Sequence, residues 1–307
     1  MTNTHSLDLE KDNIHFAYVA DSASLSITGD LTIELWVKVE SAPSNDRYGL
    51  VGKSETSTTD ISYILAYDDL NGTKRLRFFT SADGSTVNAI AVNHDLGTGT
   101  WHHIAAVYDA SAGSVEFFVD GSSIGSASGL DTSLDDNSSK LNVGADRFDE
   151  PNSFDGKIDD VRIWNDKRTS SEISTNYKRE LAGNEPNLQA YYKLNNSYDD
   201  ETANNNDLTA SGLPSFSTDV PFEDTTTTST SSSTTTTSTS TTTTSTSTTT
   251  TSTSTTTTST SITTTSTSTT TTSTTTTSTS TTTTSTTTTS TSTTTTLDLR
   301  FVVEKVK

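Results

Sequence analysis

Two adjacent carboxylates, Asp159 and Asp160, lie in the stretch Phe154 to Asn165, which reads Phe-Asp-Gly-Lys-Ile-Asp-Asp-Val-Arg-Ile-Trp-Asn. Carboxylate oxygens are the donors that calcium takes, six to eight at a time. On a strand, neighbours point to opposite faces, so the pair cannot chelate one ion from regular geometry. One acid should reach solvent or a rim. The other should turn to the packed side, where it needs a partner such as Arg162 or backbone N–H groups. A second set of oxygen donors is the segment Asp146-Arg-Phe-Asp149-Glu150-Pro-Asn152, four oxygen-bearing side chains between two strands. Asp135-Asp-Asn137 and Asp68-Asp-Leu-Asn71 place further acids in turns, and none of these segments has the spacing of an EF-hand loop.

Other chemistries find little support. His102 and His103 are strand neighbours facing opposite ways, so they do not form one metal pair. No Gly-x-Ser-x-Gly, phosphate loop or His-rich zinc motif occurs. The chain has no cysteine, which removes disulfides and thiolate metal sites. Its formal charge is −20, and the last eleven residues carry two acids against three bases, so the acidity lies ahead of them. Nucleic acid and anionic membrane are poor partners for such a surface, whereas divalent cations and neutral ligands such as glycans suit it. The start Met1-Thr-Asn-Thr-His-Ser lacks the basic region and apolar run of a secretory leader, and no apolar run suffices for membrane insertion.

The elements that must position these residues are strands. Leu31 to Val39 alternates apolar and polar side chains over its whole length, which puts one face inward and one outward. Further strands are expected at Tyr48 to Val51, Ile61 to Tyr67, Arg75 to Phe79, Val87 to Val92, Trp101 to Tyr108, Ser114 to Val119, Leu141 to Gly144 and Leu188 to Leu194. Asn71-Gly72, Asp83-Gly84 and Asp120-Gly121 supply turns that accept positive φ. One helix is expected from Thr169, which has Glu172 at capping-box spacing, with Ile173, Tyr177 and Leu181 on one face and Gly183 as its stop. The rhythm is that of an all-β sandwich or barrel rather than a βαβ fold. Residues 225 to 296 are Thr and Ser apart from Ile262. This divides the chain into a globular domain over 1–222, an extended or disordered Thr/Ser spacer over 223–296, and a strand-like tail over 297–307.

In combination, Leu31-Thr-Ile-Glu-Leu-Trp-Val, Thr100-Trp-His-His-Ile-Ala-Ala-Val-Tyr-Asp, Val115 to Gly121, Phe154 to Asn165, Glu172-Ile173 and Leu188-Gln-Ala-Tyr-Tyr-Lys-Leu resemble the concanavalin A-like jelly-roll modules of the laminin-G type, in their bacterial and metagenomic branch. The resemblance covers residues 6 to about 220. It implies two antiparallel sheets packed as a sandwich with one short helix, and a non-catalytic module that binds or adheres, often through carbohydrate and often with calcium. Related jelly-roll enzymes have a similar strand whose Asp helps bind a structural calcium near the N-terminus. By that resemblance Asp159 or Asp160, with oxygens from near Asp8, holds calcium. Rim loops carry calcium and glycan contacts in laminin-G relatives, which implies Asp146 and Asp149 as further metal ligands. By the same token Phe148, Asp149, Glu150 and Asn152 become glycan contacts. The glucanase motif Glu-x-Asp-x-x-Glu of the same superfold is absent, since Glu10-Lys-Asp-Asn-Ile-His15 ends in histidine. The expected partner is a carbohydrate or surface polymer, at a cell or virion surface or otherwise outside the cell. The alternative is a fibre or virion-appendage protomer that self-associates through the Thr/Ser tract or the tail.

Overall fold

The computed structural model describes residues 3–56, 59–149 and 151–222. The expectations for the Thr/Ser tract and the tail therefore lie outside the described residues. Among the described residues fifteen strands occur in chain order: β1 Ser6–Leu9, β2 Phe16–Val19, β3 Leu31–Val39, β4 Arg47–Ser54, β5 Ile61–Leu70, β6 Thr73–Thr80, β7 Asn88–Asn93, β8 Trp101–Asp109, β9 Ser114–Val119, β10 Ser122–Ser128, β11 Leu141–Val143, β12 Gly156–Trp164, β13 Leu188–Tyr192, β14 Thr209–Ser211 and β15 Ser215–Ser217. They form two antiparallel sheets. The first runs β10-β9-β8-β3-β12-β1-β15, with β13 also paired to β12. The second runs β14-β2-β11-β4-β5-β6-β7. The result is the two-sheet jelly-roll sandwich that the family resemblance implies.

The alternation in β3 decides what each face does. Leu31, Ile33, Leu35, Val37 and Val39 enter the core between the sheets, with Leu65, Tyr67, Phe78, Ile104 and Ile158. Thr32, Glu34 and Trp36 point to the outer face of the first sheet, yet they too are buried, because the segment after β12 folds back over them. That segment carries the helix α1, Ser170–Asn176, opened by Thr169 and Glu172 in a reciprocal capping box. The helix is shorter than its apolar spacing suggests. Trp36 Nε1 donates to Tyr177 O (2.8 Å), and Arg162 donates to Asn176 O (3.3 Å) and Arg179 O (2.7 Å). Side chains from the sheet thus take the carbonyls at the end of the helix and beyond it, and Tyr177 is its C-cap.

On the outer face of the second sheet, the chain after β11 crosses β4. A side chain at Gly49 or Gly52 would collide with it: a Cβ at Gly49 would lie 1.9 Å from Asp146 N, and one at Gly52 2.1 Å from Asp146 O. Phe148 N then donates to Ser54 O and Asp149 N to Glu55 O, so the segment 145–149 forms a ridge along β4.

Candidate functional site

Strand β12 breaks its regular pairing with β3 between Asp159 and Arg162, and Asp160 takes a φ of 51°. This bulge overturns the expectation that one acid of the pair reaches solvent, because both are buried. Asp160 is committed to Arg162, which donates to it from Nη2 (2.5 Å) and Nε (3.4 Å), so it is not a free metal ligand. Asp159 accepts from Asn3 Nδ2 at 2.8 Å and from the Asp160 backbone at 2.9 Å, with no cation bonded to it among the described residues. Burial pushes its carboxyl well above the usual carboxylate range, and the charges of Asp160 and Glu180 add to the rise. Two acceptors nearby are buried without a hydrogen-bond partner, Asn3 Oδ1 and Glu180 Oε2, the latter 3.8 Å from Lys193 Nζ. Burial likewise raises Glu180. Buried acceptors without a partner, beside a carboxyl that bonds no cation, are the donor chemistry that a hard cation satisfies.

Asp8 does not join that group. The register of β1 on β12 sets Asp8 opposite Lys157, whose Nζ bonds it at 3.2 Å. Asp8 clusters instead with Glu10 and Glu40, one oxygen of each lying within 4.8 Å of the others, a set that could hold a divalent cation. Lys157 also bonds Glu40, and although burial alone would lower its pKa, the bonds to Glu40 and Asp8 hold it raised. An ion there would have to displace an ammonium already serving as the cation.

The segment expected as a rim site proves to be two things. Asp146 is a fully buried organiser of the ridge, accepting from Arg47 Nη2 (2.5 Å), Asn152 N (2.9 Å) and Asn152 Nδ2 (2.7 Å). That occupies both Asp146 oxygens and the Asn152 Nδ2, so Asp146 is a structural acceptor rather than the metal ligand expected. Asp149 is exposed, and Glu150 lies outside the described residues. Phe148 is half-buried, with its ring edge-on to Tyr18 (4.7 Å) and Phe16 (6.0 Å) and Lys140 Nζ 3.7 Å from its centroid. The ring expected as a glycan contact is therefore packed against its neighbours on one side and covered by an ammonium.

Beside Phe148 opens a cleft of about 350 Å³ lined by Glu55, Asp60, Ser138, Ser139 and Lys140. Lys140 bridges cleft and ring, since its Nζ also donates to Glu55 Oε1 at 2.6 Å. The cleft is shaped from below by Lys53, a fully buried ammonium that donates to Asp21 (2.6 Å), Asn137 O (3.0 Å) and Ser139 O (2.8 Å). Ser139 Oγ bonds Asp60 O and closes the far wall. Sequence reasoning missed this cleft, because its residues come from the ends of β4, β5 and β11. The one local signal was the polar run Asp135 to Ser139 next to a strand.

Two antiparallel sheets with a polar cleft at the rim define a lectin-like jelly-roll sandwich. The chain belongs to the concanavalin A-like lectin/glucanases superfamily, whose model matches residues 12–174. Among solved structures it is similar to a protein of Bacteroides ovatus described as a candidate carbohydrate-binding protein, with 20% identity, a TM-score of 0.57 and coverage of 72% of this chain and 62% of that one. It is also similar to a heptameric SAP-like pentraxin of Limulus polyphemus, with 14% identity, a TM-score of 0.50 and coverage of 70% and 94%. At these identities the likeness shows the fold. The chain spans less than two thirds of the length of the Bacteroides protein. No curated protein sequence matches it.

Proposed function

We propose that the globular part is a non-catalytic glycan-binding module that acts outside the cell or at a cell or virion surface, and that its ligand enters the cleft between Glu55, Asp60 and Ser138 to Lys140. The cleft carries the reading. Carboxylate and carbonyl acceptors, hydroxyls and an ammonium converge there beside the edge of an aromatic cluster, which is the mixture of groups a sugar's hydroxyls and apolar faces require. The superfamily and the Bacteroides relative support the ligand class. Glycoside hydrolysis uses a pair of carboxyl groups acting as acid and base or nucleophile. Here Lys140 holds Glu55, which among the described residues leaves Asp60 as the one uncommitted carboxylate of the cleft and favours binding over cleavage. Calcium serves as a structural ion in this proposal, held by Asp159, Asn3 and Glu180, where it would supply a cation to Asp159 and a partner to the unpaired oxygens of Asn3 and Glu180.

A glycan array probed with the full chain tests the reading, followed by titration of any hit against Lys140→Met. The expected result is at least one hit whose affinity falls about tenfold in the variant, as loss of a charged hydrogen bond of ~1.5 kcal/mol requires. No hit above background, or a hit indifferent to Lys140→Met and to Ser139→Ala, overturns the site.

A further inference from the structure

On the other side of the ridge, the outer face of the second sheet is built differently. Here Ala66, Ile64 and Phe79 form a small apolar layer of their own, apart from the core between the sheets. Two guanidinium groups lie over one ring of this layer: Arg47 Cζ is 4.9 Å and Arg77 Cζ 4.4 Å from the Phe79 centroid. Stacking on an aromatic face holds a guanidinium flat and turns its N–H edge outward.

The acids beside these arginines are already committed. Asp68 is gripped by Arg75 through Nε and Nη2, both at 2.8 Å, and Asp146 is buried under the ridge with three donors upon it. Arg77 spends a single long bond on Asp68, from Nη1 at 3.3 Å, and its side chain is 33% exposed. Arg47 uses Nη2 on Asp146, while its Nε is buried without a partner. Donor capacity therefore exceeds acceptor capacity at this spot, on a chain whose formal charge is −20. At physiological salt, charges beyond about 8 Å are largely screened, so a ligand docked here meets the arginines rather than the distant acids.

We infer that Arg47 and Arg77, stacked on Phe79, form a carboxylate-reading site for an acidic glycan, so that the polymer recognised carries uronate-type sugars. A planar guanidinium fork matches the two oxygens of a carboxylate, and the sulfated polymer in the test separates it from other oxyanions that the fork also fits. This inference rests on the glycan-binding reading and adds the ligand's class to it.

The test is titration of the full chain with an oligogalacturonate, with the same oligomer methyl-esterified, with a sulfated polysaccharide of similar length, and with a panel of neutral glycans, all in EDTA. The variants are Arg77→Gln and Arg77→Lys. The second keeps the charge at a partly exposed position and serves if the first does not fold. The expected result is binding of the acidic oligomer that weakens tenfold or more on esterification and in either variant, with the sulfated polymer binding less tightly. Equal binding of acid and ester, or no effect of both variants, overturns the inference, and so does a preference for the sulfated polymer. If neutral glycans alone bind, the acidic-ligand inference fails while the glycan reading stands. If no glycan binds, both fail.

Discussion

Asp146 carries the ridge, and replacing it separates its structural work from any role in metal binding. Asp146→Ala removes the acceptor of Arg47 and of two Asn152 donors, at 2.5, 2.9 and 2.7 Å, from a position with no exposure to solvent. Removing one partner of a buried charge pair costs roughly 3–5 kcal/mol, because the donors left behind stay desolvated. Arg47 keeps a side chain 24% exposed and can turn part of its charge to water, so the low end applies, about 3 kcal/mol. In a domain of this size that lowers the melting temperature by roughly 6–12 °C. Asp146→Asn keeps the shape and some acceptor capacity and should lose about half as much. The ridge positions Phe148 against Tyr18 and Lys140, so Asp146→Ala should also weaken glycan binding at the cleft while leaving any calcium response intact. Urea unfolding and thermal melts of the two variants, with and without calcium, read all of this. A loss below about 1 kcal/mol in Asp146→Ala, the range of an ordinary surface substitution, would refute the reasoning. So would a calcium response that disappears with it.

Three further expectations follow from the same geometry. Because the Asp159 carboxyl lies above its unfolded value, the folded chain keeps a proton that the unfolded chain has lost, and metal-free stability falls as pH rises from about 3.9 toward the folded value. In EDTA at neutral pH, Asp159→Asn should therefore match or exceed the wild type. In calcium the order should reverse, as the wild type gains roughly 2–3 kcal/mol at 100-fold excess over Kd and the variant gains none. A melt that ignores both calcium and this substitution removes the ion from the account. Gly49→Ala should cost about 1–3 kcal/mol by lifting the ridge, since its Cβ would sit 1.9 Å from Asp146 N, and an unchanged urea midpoint would show that the ridge does not press on β4. Thr169→Ala should cost about 1 kcal/mol by removing the acceptor for Glu172 N, while Thr169→Ser should cost little, as paired thermal melts can check.

The sandwich was legible because its strands carry their own pattern. Leu31 to Val39 and Ser114 to Val119 are strands over the expected spans, and the Asp120-Gly121 turn joins β9 to β10. The short strands β1, β2, β14 and β15 were not marked, since three or four residues hold too few alternations and their strand character comes from pairing with distant partners. The site was less legible for a related reason. A period of two fixes where a side chain points only while the strand is regular, and β12 is irregular at Asp159 and Asp160, the very acids in question. Asp146 showed as an oxygen donor but not as a buried one, because its partner Arg47 lies 99 residues away. Lys53 lies beyond the expected strand Tyr48 to Val51 with nothing in its neighbours to mark it, although it organises the cleft through two backbone carbonyls.

The central claim is that a glycan binds in the cleft beside the ridge. Hydrogen–deuterium exchange on the full chain, with and without the sugar found on the array, tests it most directly. The account predicts slowed exchange at the amides of Ser138, Ser139 and Lys140 and little change along β8 and β9. Protection confined to the outer face of the first sheet, with Ser138 to Lys140 unaffected, would contradict it.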